Sequence, residues 1–287
     1  MTLVNPLDMQ TVYRPRTLAE ALVYLRQGKT IPYPLAGGTG LLAGPARGVE
    51  AVVDLSLLGL DSITDDEVGL HIGAMATLQA LVETPLVAQW ADELLRNAAH
   101  AAAPSVQRHQ RTVGGTVISG SDNDDLLVAL LALEAQVVCY FPGERDIAHT
   151  YPLAEFLNTV RARRPYLLTE IRIPAPARGV RARLLRVARS PRSAAIVNVA
   201  LTLSLDDQGQ IQGTTIAVGG IADAPIRLDQ VEQALVGRPP QNVHDADVEK
   251  WVRDQVPARD DWMASAAYRR HVVGVLVRRA LRACAAS

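Results

Sequence analysis

Cysteine is scarce in this chain. The two present, Cys139 and Cys284, lie far apart; they could pair with each other, but they cannot build a four-cysteine iron–sulfur or zinc site. No run of about twenty apolar residues occurs, so no membrane-spanning helix is expected. An excess of one charge is missing too. Lys and Arg number 29 against 30 Asp and Glu, a balance of −1, which argues against a broad basic nucleic-acid face. The first thirty residues lack an apolar core behind a basic start, and Pro6, Arg14, Pro15 and Arg16 interrupt them, so a secretory signal is not expected. Histidines form no H-x-x-x-H or H-E-x-x-H pair, and no serine sits in a G-x-S-x-G elbow, so the metallohydrolase and serine-hydrolase signatures are absent. These absences predict a soluble, cytoplasmic protein.

What is there is globular material. A chain of 287 residues with 48% apolar and 21% charged residues suffices for about two domains. Leu18, Ala21, Leu22 and Leu25 recur at helical spacing behind Thr17 as a cap, with Gly28 as the stop. Strands are expected at Ile31–Leu35, Ala51–Leu55 and Leu70–Ala74. A helical, alanine-rich stretch from Thr77 to Ala103 should break between Glu83 and Pro85. An apolar run, Leu126–Val138, reads as buried, Pro142-Gly143 as a turn and Ile171–Pro174 as the end of a strand. The segment 174–179 reads as a hinge. Beyond it come strands at 196–205 and 212–218 around the turn 206–209. A final helix carries Val273, Leu276, Val277, Ala280, Leu281 and Cys284 on one face.

Two glycine stretches carry the chemistry: Ala36-Gly37-Gly38-Thr39-Gly40 and Thr112-Val113-Gly114-Gly115-Thr116. Read as turns without Cβ bulk, they could crowd backbone N–H groups around an anion, with threonine hydroxyls as further donors. No lysine follows them, so neither is a Walker loop, and neither fits the dinucleotide fingerprint G-x-G-x-x-G. A pyrophosphate shared by both loops is the sharper expectation, against the plainer one of two tight turns. Ser121-Asp122-Asn123-Asp124-Asp125 lacks the glycine and late glutamate of a calcium loop. It reads as a polar cap before the apolar run, or as a carboxylate for ribose hydroxyls. Arg161–Arg164 and Arg181-Ala182-Arg183 read as solvated faces.

Taken in order, these segments resemble the flavin-binding medium subunit of molybdenum hydroxylases, the subunit found in carbon monoxide dehydrogenase and split xanthine dehydrogenases. The resemblance runs through residues 35–42, Ile72–Thr77, Arg108–Gly115, Leu130–Val138 and Ile171–Pro174. It continues through Asn198-Val199-Ala200, Gly219-Gly220-Ile221-Ala222, Ala264–Arg270 and Arg278–Leu281. It implies an α+β protein: an FAD-binding fold of the vanillyl-alcohol-oxidase-like type over 1–175, in subdomains of about 1–60 and 61–175. A small α+β domain over 176–287 with a short antiparallel sheet follows.

It also implies an FAD site. Leu35, Ala36, Gly37, Gly38, Thr39, Gly40 and Leu41 would hold the pyrophosphate together with Thr112, Val113, Gly114, Gly115 and Thr116. Asp125 matches a ribose-side carboxylate, Leu168 a leucine packed near the flavin and Arg186 a basic residue approaching the ring. Gly40, Thr116 and Arg186 stand where relatives commonly carry Asp or Ser, Asn or Ser, and Lys. Residues 101–103 offer no ring to cover the flavin.

The implied task is electron transfer from iron–sulfur clusters on a small partner subunit through FAD to an external acceptor. Substrate is oxidised at the molybdenum cofactor of a large subunit, and the whole forms a dimer of heterotrimers. No side chain of this chain then acts as a general acid or base. The rival reading is a structural or assembly subunit of the same complex that has lost FAD, motivated by the acidic segment 122–125 and the missing ring. A stand-alone flavin oxidase fits poorly, since about a hundred residues remain after the FAD motifs, roughly one small domain.

Overall fold

The computed structural model describes residues 9–27, 31–43, 49–144, 147–163, 165–190 and 193–286. Gly28, Pro6 and Arg164, which figure in the sequence reading, lie outside them. In chain order the elements are β1 (Thr11–Tyr13), α1 (Leu18–Tyr24), β2 (Tyr33–Leu35), α2 (Thr39–Ala43), β3 (Ala51–Asp54), β4 (Ile63–Asp65) and β5 (Gly69–Gly73). Then come α3 (Leu78–Glu83), α4 (Pro85–Ala88), α5 (Leu94–Ala102), α6 (Ser105–Arg108), α7 (Val113–Ser119) and α8 (Asp125–Ala132). β6 (Gln136–Tyr140), β7 (Ala148–Pro152), α9 (Leu153–Glu155), β8 (Leu167–Pro174), β9 (Arg181–Ala188), β10 (Ala195–Leu205) and β11 (Ile211–Gly219) follow. The chain closes with β12 (Ile226–Arg227), α10 (Asp229–Leu235), α11 (Asp245–Gln255) and α12 (Ala266–Ala286).

The chain divides into two compact units that interleave in sequence. One comprises 1–80, 105–120 and 136–172, the other 81–104, 121–135 and 173–287.

The first unit holds a three-stranded parallel sheet, β1-β3-β2, and a five-stranded sheet, β4-β5-β8-β6-β7. Thr17 caps α1 through its side chain, which accepts from the Glu20 amide at 3.2 Å. The apolar stripe Ala21, Leu22 and Leu25 packs with Val53 and Leu55.

In the second unit, β12-β11-β10-β9 form an antiparallel sheet. Its core joins Val197, Val199 and Leu201 to the α12 face Val273, Leu276, Val277, Ala280, Leu281 and Cys284. α5 and α8 belong to this unit. Every residue of α8 is buried, which is why its sequence is apolar all round rather than amphipathic.

Pro85 occupies the first turn of α4 behind Thr84, where its missing N–H costs nothing, so the helical stretch breaks where the proline requires. Burial pushes Cys139 up to about 12 and Cys284 up to about 11, so both are inert thiols. Among the described residues no helix is long and apolar enough to cross a membrane.

Candidate functional site

Both glycine stretches lie in the first unit, and they are built differently. Gly38 has φ +72°, a backbone that L side chains rarely adopt, and the nearest atom to a Cβ there would be Leu35 Cδ1 at 3.6 Å. Its conformation turns the chain from β2 into α2. Outside α2's own bonds, the amides of Gly37, Gly38, Thr39 and Gly40 donate to no acceptor among the described residues. Gly37 and Gly40 serve close packing instead. A Cβ on Gly37 would overlap the Gln110 carbonyl, and one on Gly40 would meet Ser119 Oγ at 2.6 Å, so the loop lies against the backbone before α7 and the end of α7.

The second stretch is not the open turn expected from its glycines. It is the N-terminal half of α7, capped by Thr112. Its amides are engaged within the protein: Val113 donates to the Ala76 carbonyl at 2.9 Å and Gly114 to that of Ala74 at 2.9 Å. Gly115 donates to Thr112 Oγ1 at 3.0 Å and Thr116 to the Thr112 carbonyl at 2.9 Å. The Thr116 hydroxyl donates to the same carbonyl and accepts from Arg111 Nε at 3.0 Å. Gly114 is glycine because a Cβ would sit 2.7 Å from Ala74 Cβ and 2.8 Å from its carbonyl oxygen. Capping bonds and sheet packing satisfy the donors that sequence reasoning left open for an anion. Leu168, in the same unit, is buried in β8 opposite Cys139.

Asp125 and Arg186 belong to the second unit, and the structure brings them together. Asp124 caps α8 by accepting from the Leu126 amide at 3.0 Å, as the polar-cap reading expects. The Asp125 carboxylate, on the first turn, takes Asn198 Nδ2 at 2.7 Å and stands 3.3 Å from Arg186 Nε. Burial pushes its pKa up, while Asn198 and Arg186 pull the other way. Burial likewise raises Asp122. The acidic segment is thus partly internal. In the sequence Asn198 stands out only as part of Asn198-Val199-Ala200, and its link to Asp125 spans 73 residues, so no local pattern reveals it.

Arg186 also lines a cleft of about 360 Å³ in this unit, between Glu93 with Asn97 and Ala101 of α5 on one side and the β9 residues Ala182 and Leu184 on the other. Its lining residues Asp92 and Glu93 close a run of three consecutive non-glycine residues with left-handed backbone: Ala91 (φ 44°), Asp92 (56°) and Glu93 (60°). Such backbone costs roughly 1–2 kcal/mol per residue. Asp92 offsets part of this by pairing with Arg183 and accepting from the Ala182 amide at 3.4 Å. Arg183 therefore has a specific partner rather than the solvated role its sequence context suggests. Nothing in the composition of 91–93 signals the strain.

A three-stranded parallel sheet followed by a glycine loop, a five-stranded sheet and an antiparallel sheet packed with a long helix make a two-part α+β protein. Residues 7–176 match the family model of the FAD binding domain in molybdopterin dehydrogenase, and residues 185–284 that of the CO dehydrogenase flavoprotein C-terminal domain. The uncharacterized protein YgfM of Escherichia coli K12 is 31% identical over 270 residues, 94% of each chain. The glyceraldehyde dehydrogenase medium chain of Sulfolobus acidocaldarius is 26% identical over 273 residues, 94% of this chain and 96% of that one. A chain of carbon monoxide dehydrogenase from Hydrogenophaga pseudoflava superposes with a TM-score of 0.87 at 25% identity, over 97% of this chain and 98% of that one. The chain belongs to the FAD-binding medium subunits of the molybdenum hydroxylases, the family of carbon monoxide and xanthine dehydrogenases. It is an oxidoreductase subunit with FAD as its cofactor.

Proposed function

We propose that this chain carries electrons through FAD from iron–sulfur clusters on a small partner subunit to an external acceptor, substrate being oxidised at a molybdenum cofactor on a large subunit. The observation that carries the reading is the loop 36–41. Outside α2's own bonds the amides of Gly37 to Gly40 donate to no acceptor among the described residues, and a Cβ at Gly38 would make only an ordinary contact with Leu35 Cδ1 at 3.6 Å, which fits a diphosphate approached by backbone donors. When bound, FAD supplies the two-electron chemistry.

This chain's residues hold and orient it. Leu35 to Leu41 cradle the diphosphate, and Thr112 to Thr116 brace that cradle. Leu168 packs near the ring and Arg186 approaches it. The engaged amides of α7 support bracing over direct donation there. The rival scaffold reading loses force on Asp122–Asp125, because Asp124 and Asp125 are engaged inside the protein rather than presented to an anion.

The reading includes a cytoplasmic dimer of heterotrimers and a functional division of 1–175, itself in parts of about 1–60 and 61–175, from 176–287. Two cysteines in the whole chain support placing the clusters on a partner.

The test is FAD released by acid after gentle purification from the native host, counted per polypeptide together with the co-purifying chains. About one FAD per chain, with iron–sulfur and molybdenum subunits attached, is the expected result. Attached subunits without flavin would leave the scaffold reading in its place.

A further inference from the structure

Arg186 on β9 stands directly opposite Asn198 on β10, and Asn198 opposite Gly219 on β11. The three form one row across the sheet, and cross-strand partners share a face. The first turn of α8 lies over this row. A Cβ on Gly219 would run into Asn198 Oδ1, the Asp122 carbonyl and Val128 Cγ2, so the glycine leaves the room that the asparagine amide fills. Asn198 gives Nδ2 to Asp125 Oδ1 at 2.7 Å and to the Asn123 carbonyl at 3.0 Å. Asp125 Oδ2 lies 3.3 Å from Arg186 Nε, and Arg186 Nη2 donates to the Ser193 carbonyl at 2.5 Å. Exposure falls from 19% at Arg186 to 3% at the Asp125 side chain.

A carboxylate out of water is costly unless paired and hydrogen-bonded. Here two strands supply the partners, and of the pair it is Arg186, not Asp125, that lines the cleft. A ribose ligand would need carboxylate oxygens presented outward. Those of Asp125 face Asn198 and Arg186.

We propose that Asp125 is a positioning residue that acts through Arg186. As a buried counter-ion, it orients the guanidinium and offsets part of its charge, and so helps set the reduction potential of the flavin. The proposal rests on the reading above that puts Arg186 beside the flavin ring. Two-electron reduction adds negative charge to that ring, so an adjacent cation favours the reduced form and an adjacent anion the oxidised one.

The test uses the full-length chain purified with its FAD, titrated by spectroelectrochemistry, with acid-released FAD and thermal midpoint measured alongside. Asp125→Asn leaves the Arg186 charge less offset and is expected to favour the reduced flavin by about tenfold, an upward shift of about 30 mV for a two-electron couple. Arg186→Gln should shift the potential downward. The double variant replaces a neutral pair by a neutral pair and should return close to wild type. It differs from Arg186→Gln only in the charge of residue 125. It therefore keeps the comparison available if Asp125→Asn alone, with an unpaired buried cation, does not fold.

A potential that responds to Arg186→Gln but is identical with and without the Asp125 charge would overturn this proposal alone. Weaker FAD retention by Asp125→Asn, with the flavin that stays bound at an unchanged potential, would restore the ribose role. Insensitivity to both changes would remove Arg186 from the flavin ring, and a wild-type chain without FAD would remove the reading beneath.

Discussion

Gly38 and Gly114 look alike in sequence, yet the space around each separates their roles. At Gly38 a methyl group meets only an ordinary contact, Leu35 Cδ1 at 3.6 Å, but a left-handed φ, so Gly38→Ala should fold, with a strain of roughly 1–2 kcal/mol, and lose FAD affinity. Equilibrium dialysis of FAD against the folded variant checks this. At Gly114 a methyl group meets Ala74, so Gly114→Ala should lower stability by about 1–3 kcal/mol through overpacking, read as a lower thermal midpoint.

His71 gives a pH-dependent prediction. Its Nδ1 lies 2.6 Å from Glu170 Oε1 and its Nε2 3.3 Å from Asp66 Oδ1. The hydrogen bond to Glu170 raises its pKa above the ordinary 6.5, burial opposes and Asp66 assists. A raised folded-state pKa means that the stabilisation is complete below 6.5 and is lost as pH rises through the folded value. Burial alone would raise Glu170, but Arg172 and His71 together hold it below its ordinary 4.5, so its contribution is lost at the acid end. Urea midpoints should therefore fall as pH rises above about 6.5. His71→Gln should flatten that alkaline limb; a limb that persists would assign it to another group.

Among the elements, α7 shows how a short helix is defined by its ends. Its interior contains two adjacent glycines, poor helix formers, and it forms because Thr112 caps it and β5 packs against it. Thr112→Ala removes the acceptor for the Gly115 amide and should cost about 1 kcal/mol. Thr112→Ser should recover most of this in chemical denaturation. α8 is the opposite case. Its run Leu126-Leu127-Val128-Ala129-Leu130-Leu131-Ala132 is helical and wholly buried. Burial was legible from composition, but helix and strand were not told apart, since an apolar run has no polar face to reveal a period. Glu134, at φ 55°, ends the helix, and β6 begins two residues on.

Chain order and compact unit do not coincide. The family models divide the chain near residue 180, whereas α5 and α8 are compact with 173–287. A fragment ending at residue 175 would keep α8 and lose β10 and β11, against which it packs. Each fully exposed leucine there forfeits roughly 1.5–3 kcal/mol. Such a fragment should bind a hydrophobic dye and aggregate. A soluble, dye-negative fragment with a cooperative melt would show that α8 finds cover elsewhere.

The sequence by itself determined the local features. The Thr17 cap, the break before Pro85, the turns at Gly143 and Gly209 and the one-sided face of α12 follow from φ preferences, caps and periodicity over a few residues. The ordered motifs were enough to point to the family. Short strands such as β1 and β4 escaped, because three residues carry no readable alternation. The tertiary structure alone decided which glycines face open space and which face backbone, that the donors of α7 are engaged internally, and that Asp125 meets Asn198 and Arg186. Each of these depends on partners tens of residues away. A residue's own type sets what it can bond, but only the packed chain sets what stands within reach.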